Sequence, residues 1–289
     1  MLLRSIEVVQ APPPPHFVGD GFRVHNFIPG RYSMEKMSPF IMLDYNSRFY
    51  FPPATAPRGV DVHPHRGFET VTIAYKGKVA HHDSAGNSGV IGEGDVQWMT
   101  AASGILHKEY HEKQFSQEGG DFQMVQLWVN LPAKYKMIPP RYQAITHDQI
   151  HAYYLPNDQG RVEVIAGLHK GVKGVASTFT EVHLFNAILK GGAEETFTFS
   201  PQFTTSILVI EGSIEVNHST PVPPDHFVLF KVDGDSFHIC AKEDAIVLIL
   251  SGEPINEPIA AHGPFVMNTR SEIMQAFDDF HAGKFGMLD

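Results

Sequence analysis

The 289-residue chain has one cysteine, Cys240, so no intramolecular disulfide can brace it, and a reducing compartment fits. It has no basic run, and 32 acids outnumber 22 lysines and arginines for a net charge of −10 with histidine neutral. Phosphate recognition needs clustered Lys and Arg, so this balance argues against direct nucleic-acid binding. No apolar run reaches the roughly 18 residues of a membrane span. The opening stretch MLLRSIEVVQAPPPPHF interrupts its apolar residues with Arg4, Ser5 and Glu7, unlike a signal peptide. A cytoplasmic location is therefore expected, or a nuclear one in a host that has a nucleus. Neither a GxSxG elbow nor a phosphate loop is present, which disfavours nucleophilic esterase and P-loop chemistry.

Helical periodicity is also scarce. The clearest case is TRSEIMQAFDDFHAGKFG, with Thr269 and Glu272 at capping-box spacing, Ile273, Phe277 and Phe280 on one face, and Gly283 as the stop. Elsewhere, 21 prolines and 25 glycines separate short runs rich in Val, Ile, Thr and Phe. ETVTIAYKGKVAHH, DVQWMTA, FQMVQLWVNL, SILVIEGSIEVNH, HFVLFKV and AIVLILSG all have strand character. The expectation is an all-β chain of sandwich or barrel type with a short C-terminal helix. TVTIAYKGKVAHH aligns with SILVIEGSIEVNH, placing Gly77 on Gly212. That suggests two copies of one barrel, residues 1–145 and 146–289, joined through the proline-rich LPAKYKMIPPRYQAITHDQ.

Histidine is in excess, 17 copies against 9 tyrosines, and its spacing is organised in two places. DVHPHRGFET carries His63 and His65 around Pro64, which favours extended backbone. Side chains two apart on a strand share a face, so both imidazoles can converge on one ion. GILHKEYHE repeats the spacing with His107 and Glu109, after a turn at Gly104. Three imidazoles and one carboxylate suit Fe(II), Mn(II), Ni(II), Cu(II) or Zn(II). The lack of thiolate argues against a closed structural zinc site.

HPHRGFET followed by GDVQWMTAASGILHKE resembles the paired metal motifs of the cupin superfamily. The HxH and HxE form, together with LWVNLPAKYKM and GEPINEPIAAHGPFVMNTRSEI, resembles the pirin family over nearly the whole chain. The resemblance implies a bicupin, two cupin-type β-barrels with one mononuclear metal in the first. By position its ligands would be His63, His65, His107 and Glu109, with Fe(II) the first choice of ion. It further implies quercetin 2,3-dioxygenase activity, the oxygenation of a flavonol-like aromatic substrate with loss of carbon monoxide, with Glu109 as general base. Pirin-like proteins also include metal-dependent regulators that bind other proteins, so a regulatory role without catalysis is the alternative.

Some cupins take a ligand from the first motif near Glu69, whose parity from His65 allows it; the pirin pattern makes it a supporting carboxylate. The second barrel has Thr198 and Ser200 at the HxH positions and His238 and Cys240 at the HxE positions, so no metal is expected there. Cys240 is expected to be a buried inert thiol. HHDSAGNSG, with His81, His82 and Asp83, has the composition of a hairpin loop. His111 is a candidate for the pocket mouth, and Trp98 and Met99 for the core.

Overall fold

The computed structural model describes residues 1–288. Strands dominate; among these residues helix is confined to Met34–Met37, Lys113–Glu118, three short 3-10 turns and Arg270–His281. The last has the expected capping box, in which Thr269 Oγ1 accepts from the Glu272 amide and the Glu272 carboxylate accepts from the Thr269 amide. Ile273 is buried, and Phe277 and Phe280 pack beside it against Phe265 and Phe285.

The contacts divide the chain into two compact units, but not at a single point. One comprises Pro13–His147 and Ile255–Asp289, the other Met1–Pro12 and Asp148–Pro254. The division expected at residue 145 falls close to one of these joints; the two ends of the chain change sides. Edge pairing explains the first exchange. Strand Ile6–Gln10 runs antiparallel to Phe227–Phe230, and Arg4, fully buried, donates to the carbonyls of Ser200 and Phe203.

Each unit contains a seven-stranded and a four-stranded antiparallel sheet, and their strand orders correspond. In the first unit the large sheet runs Arg141–Ile145, Val96–Thr100, Phe68–Lys76, Gly120–Asn130, Phe40–Phe51, Phe22–Ile28, His16–Val18. Its small sheet runs Gly59–His65, Ile105–His111, Val79–Asp83, Ser88–Ile91. In the second unit, Ile6–Gln10 occupies the place that Arg141–Ile145 holds in the first, and Glu194–Thr198 beside Ser236–Ala241 matches Gly59–His65 beside Ile105–His111. The hairpin glycines Gly77 and Gly212 both have left-handed φ, +79° and +71°, as their common place in the repeat requires.

The pairing corrects one alignment. His63 lies opposite His107 and His65 opposite Ile105, whereas Thr196 lies opposite His238 and Thr198 opposite Ser236. The counterparts of the two histidines are thus Thr196 and Thr198, two residues before the pair aligned by sequence. The core of the second unit fills with Phe185, Phe197, Ile207 and Phe237 from both of its sheets. In the first unit a smaller cluster around Phe22, Phe51 and Phe122 closes one side of the barrel.

Candidate metal centre

His63 and His65 end strand Gly59–His65, with Pro64 holding the backbone extended between them. His107 approaches from the paired strand Ile105–His111. The imidazole centroids are 4.9 Å apart for His63 and His65, 4.2 Å for His63 and His107, and 4.8 Å for His65 and His107. One nitrogen from each ring lies within 4.8 Å of the others, and this is the only such group among the described residues.

The donor atoms suit a cation. His107 is fully buried, yet neither ring nitrogen has a hydrogen-bond partner. A buried polar atom without a partner is costly, and a metal ion would satisfy it. His63 Nδ1 lies 2.8 Å from the Asp61 carbonyl and His65 Nδ1 3.4 Å from that of Pro264. Donation through Nδ1 leaves Nε2 with its lone pair, the tautomer a ligand needs. Burial pushes all three imidazoles below their ordinary pKa, and for His65 and His107 the neighbouring rings add to the effect. They are therefore neutral near pH 7, as ligation demands.

Glu109 follows His107 by two residues, and a register shift separates them in the pairing with Gly59–His65. Its buried carboxyl faces a cleft of about 290 Å³ shared with His63 and His65. Burial raises its pKa to about 7, and the Thr72 hydroxyl, 3.3 Å from Oε1, opposes the rise. The cleft is walled by apolar groups including Phe22, Val24, Val60, Met124 and Trp128. Such a site, apolar with a few convergent polar groups, is suited to a small organic molecule.

The end of the chain holds the first histidine motif in place. Val266 donates to the Arg66 carbonyl at 3.0 Å, and Lys136 Nζ donates to the carbonyls of Gly67 and Val266 at 2.7 and 3.0 Å. Gly67 has φ +92°, and a Cβ there would lie 1.9 Å from the Val266 oxygen, so only glycine fits. Burial lowers the Lys136 pKa to about 7, partly offset by Glu257 and Glu272.

Glu69 is not part of the cluster. The turn at Arg66–Gly67 resets the alternation, so Phe68, Thr70 and Thr72 share the cleft face and Glu69 points to the other. There its carboxylate accepts from Thr100 Oγ1 at 2.7 Å. His81, His82 and Asp83 lie in strand Val79–Asp83 rather than in the loop, and only the residues after them turn. His81 is buried and lies beside Glu109 in the ladder, and its Nε2 is hydrogen-bonded to the Tyr142 hydroxyl. His111 is a core residue, not a mouth residue. It is fully buried among Phe22, Phe51, Phe115 and Phe122, with Nε2 bonded to the Gly21 carbonyl at 2.8 Å. Trp98 and Met99 are buried, as expected. Cys240 is half-buried rather than fully enclosed, and His238 stacks on His218 with centroids 4.0 Å apart.

Asp44, Thr72 and Gln126 were not expected at the cleft. Asp44 did carry a signal, as a lone carboxylate inside the apolar run FIMLDYNSRFYF.

Two sheets closed into a barrel, repeated once, with a histidine cluster in one copy, define a bicupin. The Pirin family model matches residues 21–129, and the model of the pirin C-terminal cupin domain matches residues 184–286. A Pseudomonas aeruginosa protein, provisionally named a quercetin 2,3-dioxygenase, is 46% identical over 270 residues, covering 93% of this chain and 94% of its own length. A pirin-like protein of Solanum lycopersicum is 39% identical over 271 residues, covering 93% of this chain and 88% of its own. The crystal structure of quercetin 2,3-dioxygenase from Acinetobacter baumannii superposes with a TM-score of 0.94 at 43% identity, over 99% of this chain and 100% of that one. The chain belongs to the pirin family. Family and histidine cluster together point to a bound metal ion.

Proposed function

We propose that this protein is a metal-dependent dioxygenase that oxygenates a flavonol such as quercetin, with His63, His65, His107 and Glu109 holding one divalent ion. The observation that carries the proposal is the set of neutral, converging imidazoles, with His107 unpartnered, beside an apolar cleft. The names of the Pseudomonas and Acinetobacter relatives support the substrate class. Fe(II) is the first choice of ion, and Mn, Ni, Cu and Zn suit the same donors. The counterpart positions Thr196, Thr198, His238 and Cys240 offer too few donors, so we assign the metal to the first unit alone. A cytoplasmic location accompanies this assignment; no helix among the described residues is long and apolar enough to cross a membrane.

The bound ion would supply Lewis acidity toward the flavonol 3-hydroxyl and, if redox-active, electron exchange with dioxygen. The protein supplies the rest. The apolar walls exclude water and hold the planar substrate with its 3-hydroxyl toward the imidazoles. The Glu109 carboxylate takes the 3-hydroxyl proton, with Thr72 Oγ1 3.3 Å from its Oε1. The flavonol then takes up one O2: its C2–C3 and C3–C4 bonds break, and C3 leaves as carbon monoxide with its own oxygen. Both atoms of O2 stay in the ring-opened ester on the former C2 and C4, and the proton held by Glu109 ends on the new carboxyl group.

The test is metal analysis of anaerobically purified protein, then oxygen uptake and carbon monoxide release with quercetin for each restored ion. Uptake of one O2 per quercetin, dependent on metal, supports the proposal. Metal-loaded protein that leaves quercetin unchanged would favour the regulatory alternative.

A further inference from the structure

A row of polar side chains crosses the large sheet of the metal-holding unit. Asn26 pairs with Asp44, Asp44 with Gln126, Gln126 with Thr72, and Thr72 with Gln97. Directly paired residues share a face, so all five side chains project from one side of the sheet. Their strand neighbours Val24, Met42, Met124 and Trp128 on that face line the cleft, as do Asp44 and Gln126 themselves. The row therefore lies on the cleft wall, and at Thr72 it reaches Glu109.

Two members are incompletely satisfied. Asn26 Nδ2 donates to Asp44 Oδ1 at 2.7 Å, and among the described residues Oδ2 accepts nothing. Gln126 Oε1, at 3.0 Å, shares the one Thr72 hydroxyl proton with Glu109 Oε1, and among the described residues its Nε2 has no acceptor. A free acceptor and a free donor thus stand on adjacent strands in an otherwise apolar wall. A hydroxyl uses both at once, donating to a carboxylate and accepting from an amide. Burial pushes the Asp44 carboxyl above its ordinary range, and the Asn26 amide opposes this. Adjacent strands lie about 4.8 Å apart, so Asp44 stands about 10 Å from Thr72, which touches Glu109.

We infer that Asp44, with Gln126, is a specificity-determining pair that binds a second hydroxyl of the substrate, at the end remote from the metal. The inference rests on the flavonol proposal and narrows it. The preferred substrate carries one hydroxyl at the imidazoles and another across the aromatic framework. Quercetin meets this requirement, whereas 3-hydroxyflavone has only the metal-facing hydroxyl.

The experiment measures binding of quercetin and of 3-hydroxyflavone to the metal-loaded protein under nitrogen, where no turnover intervenes. Wild type should bind quercetin more tightly by roughly ten- to a hundredfold, the usual value of a hydrogen bond to a charged group. Asp44→Leu should reduce quercetin to the affinity of 3-hydroxyflavone, leave 3-hydroxyflavone within about threefold, and retain its metal. Asp44→Asn, which keeps an acceptor, should restore part of the preference. Equal affinity of wild type for the two compounds, or equal weakening of both by Asp44→Leu, would overturn the role of Asp44 while leaving the flavonol proposal standing. Failure of both compounds to bind wild type would overturn both.

Discussion

Arg66, the residue after His65, forms an ion pair of 2.9 Å with Asp279 on the last helix, and both side chains are nearly buried, at 4% and 9% exposure. Asp279 also accepts from Lys284 and Gln275, and Arg66 donates through Nε to the Ser103 carbonyl while its guanidinium lies over the Phe285 ring. Lys284 and Arg66 together hold the Asp279 carboxyl well below the usual carboxylate range. Removing one partner of a buried pair strands the other. Asp279→Ala should therefore cost roughly 3 kcal/mol in denaturant unfolding. It should also weaken metal binding, because the residue it releases adjoins a ligand. Unchanged metal affinity would confine the pair to a purely structural role.

His63→Ala should abolish metal retention and leave the metal-free protein within about 1 kcal/mol of wild type. His63 is only partly buried, and its one hydrogen bond is to Asp61 two residues away, so the fold asks little of it. Metal content by elemental analysis and unfolding by circular dichroism give the two values. Global unfolding of this variant would show that the histidines serve the core.

Glu109→Gln keeps the shape of the side chain and removes its basic oxygen. The three imidazoles should still bind an ion, more weakly. Turnover of quercetin should fall by roughly 10²- to 10⁴-fold, the usual contribution of a positioned general base. Excess metal should not restore it; full rescue would reduce Glu109 to an anchor for the ion.

Acid should destabilise the protein through its neutral histidines. Burial lowers the His111 pKa from 6.5 to about 4. Between these pH values only the unfolded chain binds the proton. The stability is complete above pH 6.5 and is lost as pH falls toward 4, at about 1.4 kcal/mol per pH unit for this residue. Unfolding free energies from pH 7 to 4.5 should show a slope for wild type exceeding that of His111→Phe by about one proton. Equal slopes would mean that His111 titrates alike in both states.

The β-rich class, the repeat and the capped helix could be read from local pattern, because alternation, glycine turns and the Thr269–Glu272 box act over a few residues. The histidine pairs were visible for the same reason. Glu69 was harder, since one left-handed glycine at position 67 reverses the face of every later residue in its strand. His111 and His81 could not be placed, because their surroundings come from remote strands. The cleft-wall role of Gln126 depends on pairing with Phe40–Phe51 and Phe68–Lys76, which no single stretch records. The exchange of chain ends leaves no local trace at all.

That exchange matters for the order in which the protein is made. A ribosome releases residues 13–147 early, with all four candidate ligands already present. The partners of that unit's histidine loop, Pro264, Val266 and Asp279, emerge only after the whole second unit has been synthesised. A nascent chain therefore carries all four candidate ligands through the synthesis of residues 148–254 before the residues that pack against their loop have emerged.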